Sequence, residues 1–316
     1  MTHNHLAVVF PGQGSQFVGM GRELFDEFEE ARRVFDEAES ILGFDIARLC
    51  FEGPADELDL TVNTQISVLT LGIAAFRVFE GAIGIKPVVM AGHSLGEYAA
   101  LTAAGAIAYA DVLPLVHARA HYQQEAVPLG RGCMAAIIGM NTRDIEEVCR
   151  YISGTGQTVE PANFNGPGQT VISGTTEGVE AAMTLAKDRG ARRAVKLPIS
   201  VPCHCGLLEN AARRLEETLA TVALHDCSIP VIPNYDPEIV HSRVTTRDLL
   251  VRQLYHPVKW QQTVEKMIGM GIDTIIEVGP KKTLTALIKR TAPEIRLLNI
   301  DSGNSLAEAI HYLGMG

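Results

Sequence analysis

Gly92-His93-Ser94-Leu95-Gly96 places one hydroxyl between two glycines in the pattern G-x-S-x-G, the spacing that sets a serine nucleophile on a tight turn. The bare pattern is common, so its neighbours decide its meaning. Before it, Pro87-Val88-Val89-Met90-Ala91 is a short apolar run that reads as a buried strand. After it, residues 95–106 are rich in alanine with no proline and one late glycine, which reads as a helix. A turn that sharp requires small residues two places before and two places after the serine. The hydroxyl then projects from the end of a sheet at a helix N-terminus. There the Leu95 N–H lacks an intrahelical partner and can face a developing oxyanion.

A serine needs a base within hydrogen-bond reach, and ten histidines compete. His3 and His5 lie at a terminus expected to fray, and His121, His225 and His241 carry no distinguishing context. His204 stands in Val201-Pro202-Cys203-His204-Cys205, His256 in Tyr255-His256-Pro257, and His311 on a final helix. Periodicity does not choose among them. An esterase-type serine hydrolase would share the serine pattern, with Asp273 or Asp301 and His311 cast as its partners. Gly12-Gln13-Gly14 is not a dinucleotide loop, since position 17 is Phe where G-x-G-x-x-G needs glycine. No lysine stands where a P-loop would place one.

The elements that would position these groups come from a chain of 316 residues, 47% hydrophobic and 20% charged, enough for one large α/β domain or a core plus a small domain. The net charge of −10 gives no reason to expect nucleic-acid binding. Met1-Thr2-His3-Asn4-His5 runs straight into the apolar Leu6-Ala7-Val8-Val9-Phe10 without a charged leader, which reads as a first strand. The apolar stretch 99–110 lies between Glu97 and Asp111 and is too short to span a bilayer. Six cysteines lack paired metal-ligand spacing. Reduced, buried thiols in a cytoplasmic protein follow, with no metal and no membrane.

Strand-like and helix-like segments alternate over most of the chain, which predicts a mostly parallel sheet covered by helices. Helices are expected at 23–42 and 64–79, and a βαβα run is expected over 274–313. The middle differs. Strands at 133–139, 158–163, 170–173 and 194–198, with helices at 142–152 and 177–189, give the order β-α-β-β-α-β of a ferredoxin-like unit. The expected fold is therefore a hydrolase-like α/β core, residues 1–129 and 199–316, carrying an inserted small domain, residues 130–198. Gly130 and Gly132 before it, and Pro198 and Pro202 after it, suit hinges.

Phe10-Pro11-Gly12-Gln13-Gly14-Ser15-Gln16 and Gly92-His93-Ser94-Leu95-Gly96-Glu97-Tyr98 together carry a family resemblance. Further matching segments are Gln124-Glu125-Ala126-Val127-Pro128, Asn163-Phe164-Asn165-Gly166-Pro167-Gly168-Gln169 and Val201-Pro202-Cys203-His204-Cys205. Residues 251–260, which include Gln253-Leu254-Tyr255-His256-Pro257, and Glu277-Val278-Gly279-Pro280 complete the set. In this order the chain resembles the malonyl-CoA:acyl-carrier-protein transacylases of fatty acid synthesis, whose catalytic domain also occurs in polyketide synthases.

The resemblance implies Ser94 as nucleophile, and His204 as base in a dyad steadied by backbone carbonyls, with Gln253 on the loop that carries them. It implies an oxyanion hole from the N–H groups of Gln13 and Leu95, and Arg119 as the partner of the malonyl carboxylate. His93 is expected either to line the acyl pocket or to pack in the core. Cys203 departs from the serine more usual before the base. The implied partners are malonyl-CoA and an acyl carrier protein with its phosphopantetheine thiol, with no metal or redox cofactor, in a monomer. Because carrier proteins are acidic, two basic islands are candidate docking sites. The first is Lys187, Arg189, Arg192, Arg193 and Lys196, and the second is Lys281, Lys282, Lys289 and Arg290. A stand-alone acyltransferase of a polyketide line remains the alternative, and a non-catalytic subunit is disfavoured by the presence of both Ser94 and His204.

Overall fold

Side chains alternate across a strand, and a parallel sheet buried on both faces needs apolar residues at every position. The computed structural model describes residues 5–199 and 201–314. Its strands are β1 (Leu6–Phe10), β2 (Val89–Gly92), β3 (Gly132–Ile138), β4 (Val159–Gly166), β5 (Gln169–Thr175), β6 (Arg193–Lys196), β7 (Val231–Ile232), β8 (Thr274–Val278) and β9 (Arg296–Ile300). A parallel sheet runs in the order β7-β2-β1-β8-β9. Leu6, Val8 and Phe10 of β1 enter the core on one face, and Ala7 and Val9 enter the core on the other.

The second sheet, β4-β5-β3-β6, is antiparallel throughout. With the helices Thr142–Ser153 and Thr176–Asp188 it forms the ferredoxin-like unit. Cys133, Ala135 and Ile137 of β3 pack under those helices, whereas Met134 and Ala136 join the main core. The unit is also stitched to the rest by backbone. Phe164 N–H donates to Val258 O and Val258 N–H to Ala162 O, each at 2.9 Å. Where the chain enters and leaves the unit, Pro202 lies against Gly132, so that a Cβ there would stand 2.6 Å from Pro202 Cγ.

Several elements differ from their sequence expectation. The helix expected over 23–42 is two, Arg22–Glu27 and Glu29–Leu42, separated by Phe28 at φ −120° and ψ 125°. The break accompanies a ring cluster in which Phe25 and Phe35 each lie 5.3 Å from Phe51. The gap between the strands expected at 158–163 and 170–173 contracts to Pro167-Gly168, because Gly166 still pairs with Gln169. The stretch 99–110 is not the one that most resembles a membrane span. The helix Thr61–Ile83 is long and apolar enough to cross a bilayer, with mean hydropathy 1.7, yet 78% of that window is buried inside the protein. It is a core helix.

The C-terminal end of β2 runs directly into the helix Leu95–Ala103. A Cβ on Gly92 would overlap the backbone of Gly96, and one on Gly96 would overlap the carbonyl oxygen of Phe10 on β1. Neither neighbour is a side chain that can swing aside. Gly96→Ala should therefore lift the first helical turn off β1, costing about 1–3 kcal/mol or more in urea unfolding. Labelling of Ser94 by a sulfonyl fluoride should fall with it, and unchanged stability and labelling would contradict the packing argument.

Candidate active site

Ser94 occupies the turn between β2 and the following helix at φ 53° and ψ −107°, a conformation that a residue with a side chain seldom holds unaided. Two side chains from distant segments hold it. Ser94 N–H donates to Asn234 Oδ1 at 2.6 Å, and Gln253 Nε2 donates to Ser94 O at 2.8 Å. Asn234 Nδ2 also donates to Gly92 O at 2.6 Å, which ties the turn on both sides of the serine.

His204 Nε2 lies 2.7 Å from Ser94 Oγ, and Nδ1 lies 2.7 Å from the backbone oxygen of Gln253. A carbonyl oxygen can only accept, so Nδ1 carries the proton and Nε2 offers its lone pair to the serine hydroxyl. Gln253 sits in the last turn of the helix Thr246–Tyr255, not on a loop as expected. Helix ends leave carbonyls without intrahelical partners, and this one serves the imidazole. Among the described residues no carboxylate bonds to His204. Burial chiefly, and then the Arg119 charge, push its pKa down to about 3. The ring is thus held neutral and able to receive a proton.

Arg119 is 1% exposed, on the inward face of the helix Tyr109–Ala126. Nη1 donates to Gln65 Oε1 at 2.6 Å and to Gln123 Oε1 at 3.1 Å, and Nη2 donates to Gln253 Oε1 at 3.2 Å and to Ser94 Oγ at 3.3 Å. Among the described residues its Nε has no partner, and no carboxylate pairs with the guanidinium. A buried cation held by neutral amides and facing a nucleophile is suited to an anion that arrives with the substrate.

The Gln13 loop reaches the same turn. A Cβ on Gly12 would overlap His93 O and stand 3.7 Å from Leu95 N, so the absence of a side chain there lets backbone meet backbone. Gln13 itself bonds through Nε2 to Thr61 Oγ1 at 3.4 Å. Lys281 braces the loop from outside, donating to Gln16 O at 2.8 Å. His93 is fastened by Nε2–H to Asn165 Oδ1 at 2.9 Å and rests edge-on against Trp260 at 5.5 Å. Burial lowers its pKa.

The other candidates lie elsewhere. His3 is outside the described residues. His5 is exposed, and its carbonyl receives the Asp273 N–H at 3.1 Å. The Asp301 carboxylate accepts from Asn299 and Ser305, and Asp273 accepts from Thr274. Neither bonds to a described histidine. Lys196 of the first basic island pairs with Glu180 at 3.1 Å.

Sequence reading missed Gln65, Gln123 and Asn234, and it gave Glu97 no role. Glu97 is fully buried and receives Asn234 N–H at 2.8 Å and Gln253 Nε2 at 3.0 Å. Only Glu97 had a signal, an acid three residues beyond the serine inside an apolar helix. The amides come from segments whose apposition no local pattern reveals.

The chain matches the model of the acyl transferase domain over residues 7–308. It is 42% identical over 308 residues to the malonyl CoA-acyl carrier protein transacylase of Bacillus subtilis, covering 98% of this chain and 97% of that one. It is 44% identical over 304 residues to the enzyme of that name from Escherichia coli, covering 96% and 98%. The solved malonyl CoA-acyl carrier protein transacylase of Coxiella burnetii superposes with a TM-score of 0.96 at 42% identity, covering 99% and 98%. A malonyl-transacylase in complex with a type II polyketide acyl-carrier protein superposes at 0.95 with 41% identity, covering 97% and 99%.

The Arg119 charge and the His204 ring are coupled, with a consequence for pH. A nearby cation disfavours imidazolium, so removing it raises the His204 pKa toward the ordinary histidine value and lets acid protonate the base sooner. Sulfonylation of Ser94 should stay level from about pH 7 to about pH 5 in the wild type. In Arg119→Gln the acid decline should set in at a higher pH than in the wild type, and superimposable profiles would refute the coupling.

Proposed function

The chain belongs to the acyl transferase family, and we propose that within it this protein moves the malonyl group of malonyl-CoA to the phosphopantetheine thiol of an acyl carrier protein, for fatty acid synthesis. The observation that carries this reading is Arg119, a buried guanidinium beside Ser94 with no carboxylate partner among the described residues. A free carboxylate on the acyl group is what such a site lacks.

The proposed reaction has two half-reactions. Ser94 passes its proton to His204 Nε2 as Oγ attacks the thioester carbon, and the N–H groups of Leu95 and Gln13 receive the oxyanion. The C–S bond breaks, the CoA thiolate takes the proton from His204, and a malonyl-Ser94 ester remains. The carrier thiol then gives its proton to His204 and attacks the ester, and Ser94 recovers its proton as the C–O bond breaks. Neither half-reaction changes an oxidation state, so the proposed chemistry asks for no redox cofactor. The malonyl carboxylate on Arg119 also offsets the charge that helps depress His204 basicity. Gln253, bonded to Ser94, His204 and Arg119, holds the three in register, and His93, clamped by Asn165, borders the nucleophile as a packing residue.

We assign the chain to the cytoplasm as a monomer, which light scattering would check. Arg192 and Arg193 are proposed to receive the acidic carrier protein. Reversing both charges should raise the KM for carrier protein and leave that for malonyl-CoA alone, and an unchanged KM would discard this island. A carrier of a polyketide line is the second reading, supported by the similar transacylase solved with such a carrier. The faster of a fatty-acid and a polyketide carrier protein distinguishes the two.

Intact-protein mass after incubation with malonyl-, methylmalonyl- and acetyl-CoA tests the substrate. Wild type should load malonyl and Ser94→Ala should load nothing. Arg119→Ala should lose malonyl-over-acetyl preference by about two orders of magnitude, as a buried charge pair left half-made would. Retained loading in the first variant, or retained selectivity in the second, would overturn the assignment.

A further inference from the structure

Beneath the turn that carries Ser94 lies a buried carboxyl–imidazole pair that none of these steps uses. Glu97 and His241 have side chains that are 0% exposed, with His241 Nε2 at 2.8 Å from Glu97 Oε1. An ionised carboxylate oxygen only accepts, so Nε2 donates. On the other side of the ring, Nδ1 lies 3.1 Å from Thr246 Oγ1. The ring therefore spans Glu97 on one side and Thr246 on the other through its two nitrogens.

The second carboxylate oxygen of Glu97 faces the active site. Oε2 accepts the Asn234 N–H at 2.8 Å and a Gln253 Nε2 proton at 3.0 Å. These are the two residues that clamp the turn. Asn234 takes the Ser94 N–H and donates to Gly92 O. Gln253 donates its other amide proton to Ser94 O, offers Oε1 to Arg119, and offers its backbone oxygen to His204. One carboxylate thus fixes the orientation of both clamps. Three donors converge on it, which suits a group with no protons of its own and four acceptor sites.

We propose that Glu97, hydrogen-bonded to His241, is a positioning residue whose carboxylate sets the Asn234 and Gln253 clamps and thereby holds Ser94 in its positive-φ conformation, aimed at His204. The proposal rests on the reading of Ser94 as nucleophile and names a part of the machinery that touches no substrate. It makes an asymmetric demand on substitutions. Glu97→Gln keeps an oxygen for the two clamps and turns its NH2 toward His241 Nε2, which can accept it. Glu97→Ala removes the acceptor from both clamps.

The test uses the full chain. Glu97→Ala should lower kcat for malonyl transfer about 10²-fold, the loss expected from a misplaced reacting group. It should slow Ser94 sulfonylation in parallel, with the KM for malonyl-CoA within about twofold of wild type, since uniform binding is untouched. Glu97→Gln should stay within about tenfold of wild type, well short of that loss. If Glu97→Ala does not fold, Asn234→Ala carries the kinetic arm, losing kcat while the KM for malonyl-CoA holds. Wild-type rates in the folded alanine variants, or equal losses in Glu97→Gln and Glu97→Ala, would each overturn the proposal. A wild type that is sulfonylated at Ser94 but never loads malonyl would instead sink the substrate reading and leave this one standing.

Discussion

Ser94 is held in a backbone conformation that a side-chain-bearing residue avoids, and that conformation depends on three layers of backbone approaching one another without Cβ atoms between them. Gly92 lies on Gly96, and Gly96 lies on Phe10 of the neighbouring strand. The contact fixes where the helix begins, and so where its unpaired N–H groups point. It also brings Gly12 against His93 and Leu95, so the two backbone segments proposed to receive an oxyanion converge because of the same closeness. Strain at a functional serine persists only when the surroundings over-determine it. Here Asn234 and Gln253 supply that restraint through the Ser94 N–H and C=O.

Around this turn the site is organised by charge. Arg119 is buried among side-chain amide oxygens that stabilise a guanidinium without neutralising it. The same charge, after burial, helps keep His204 neutral. Nature of the partner matters to both effects, since a carboxylate arriving at Arg119 satisfies the cation and makes the imidazole a better proton acceptor. Glu97, bonded to His241, stands on the far side of Gln253 and receives one of its amide protons.

The small antiparallel unit contributes more than a lid. Asn165 of β4 anchors His93, and Glu160 of the same strand receives the Gly206 N–H at 3.1 Å, two residues after His204. The chain leaving the unit reaches His204 almost at once. There the backbone takes a positive φ of 61°, and His204 N–H donates to Leu254 O at 3.2 Å. The imidazole is thus located between the small unit and the helix that ends at Tyr255.

Local pattern was enough for the parallel core, the βαββαβ order and the turn at Ser94, because strands and helices announce themselves through apolar period and small residues. It was not enough for helix limits, as at Phe28, where packing of Phe25 and Phe35 on Phe51 overrides a continuous pattern. Resemblance singled out His204 and Arg119 from equals that spacing could not rank. The tertiary structure alone decided that Arg119 is buried with no acid paired to it among the described residues, that the imidazole leans on the end of a helix, and that Gln65, Gln123, Asn234, Glu97 and His241 surround the site. The physical reason is separation along the chain. The bonds from Asn234 and Gln253 to Ser94 join residues 140 and 159 positions apart, and no periodicity of two or 3.6 residues records a contact of that range.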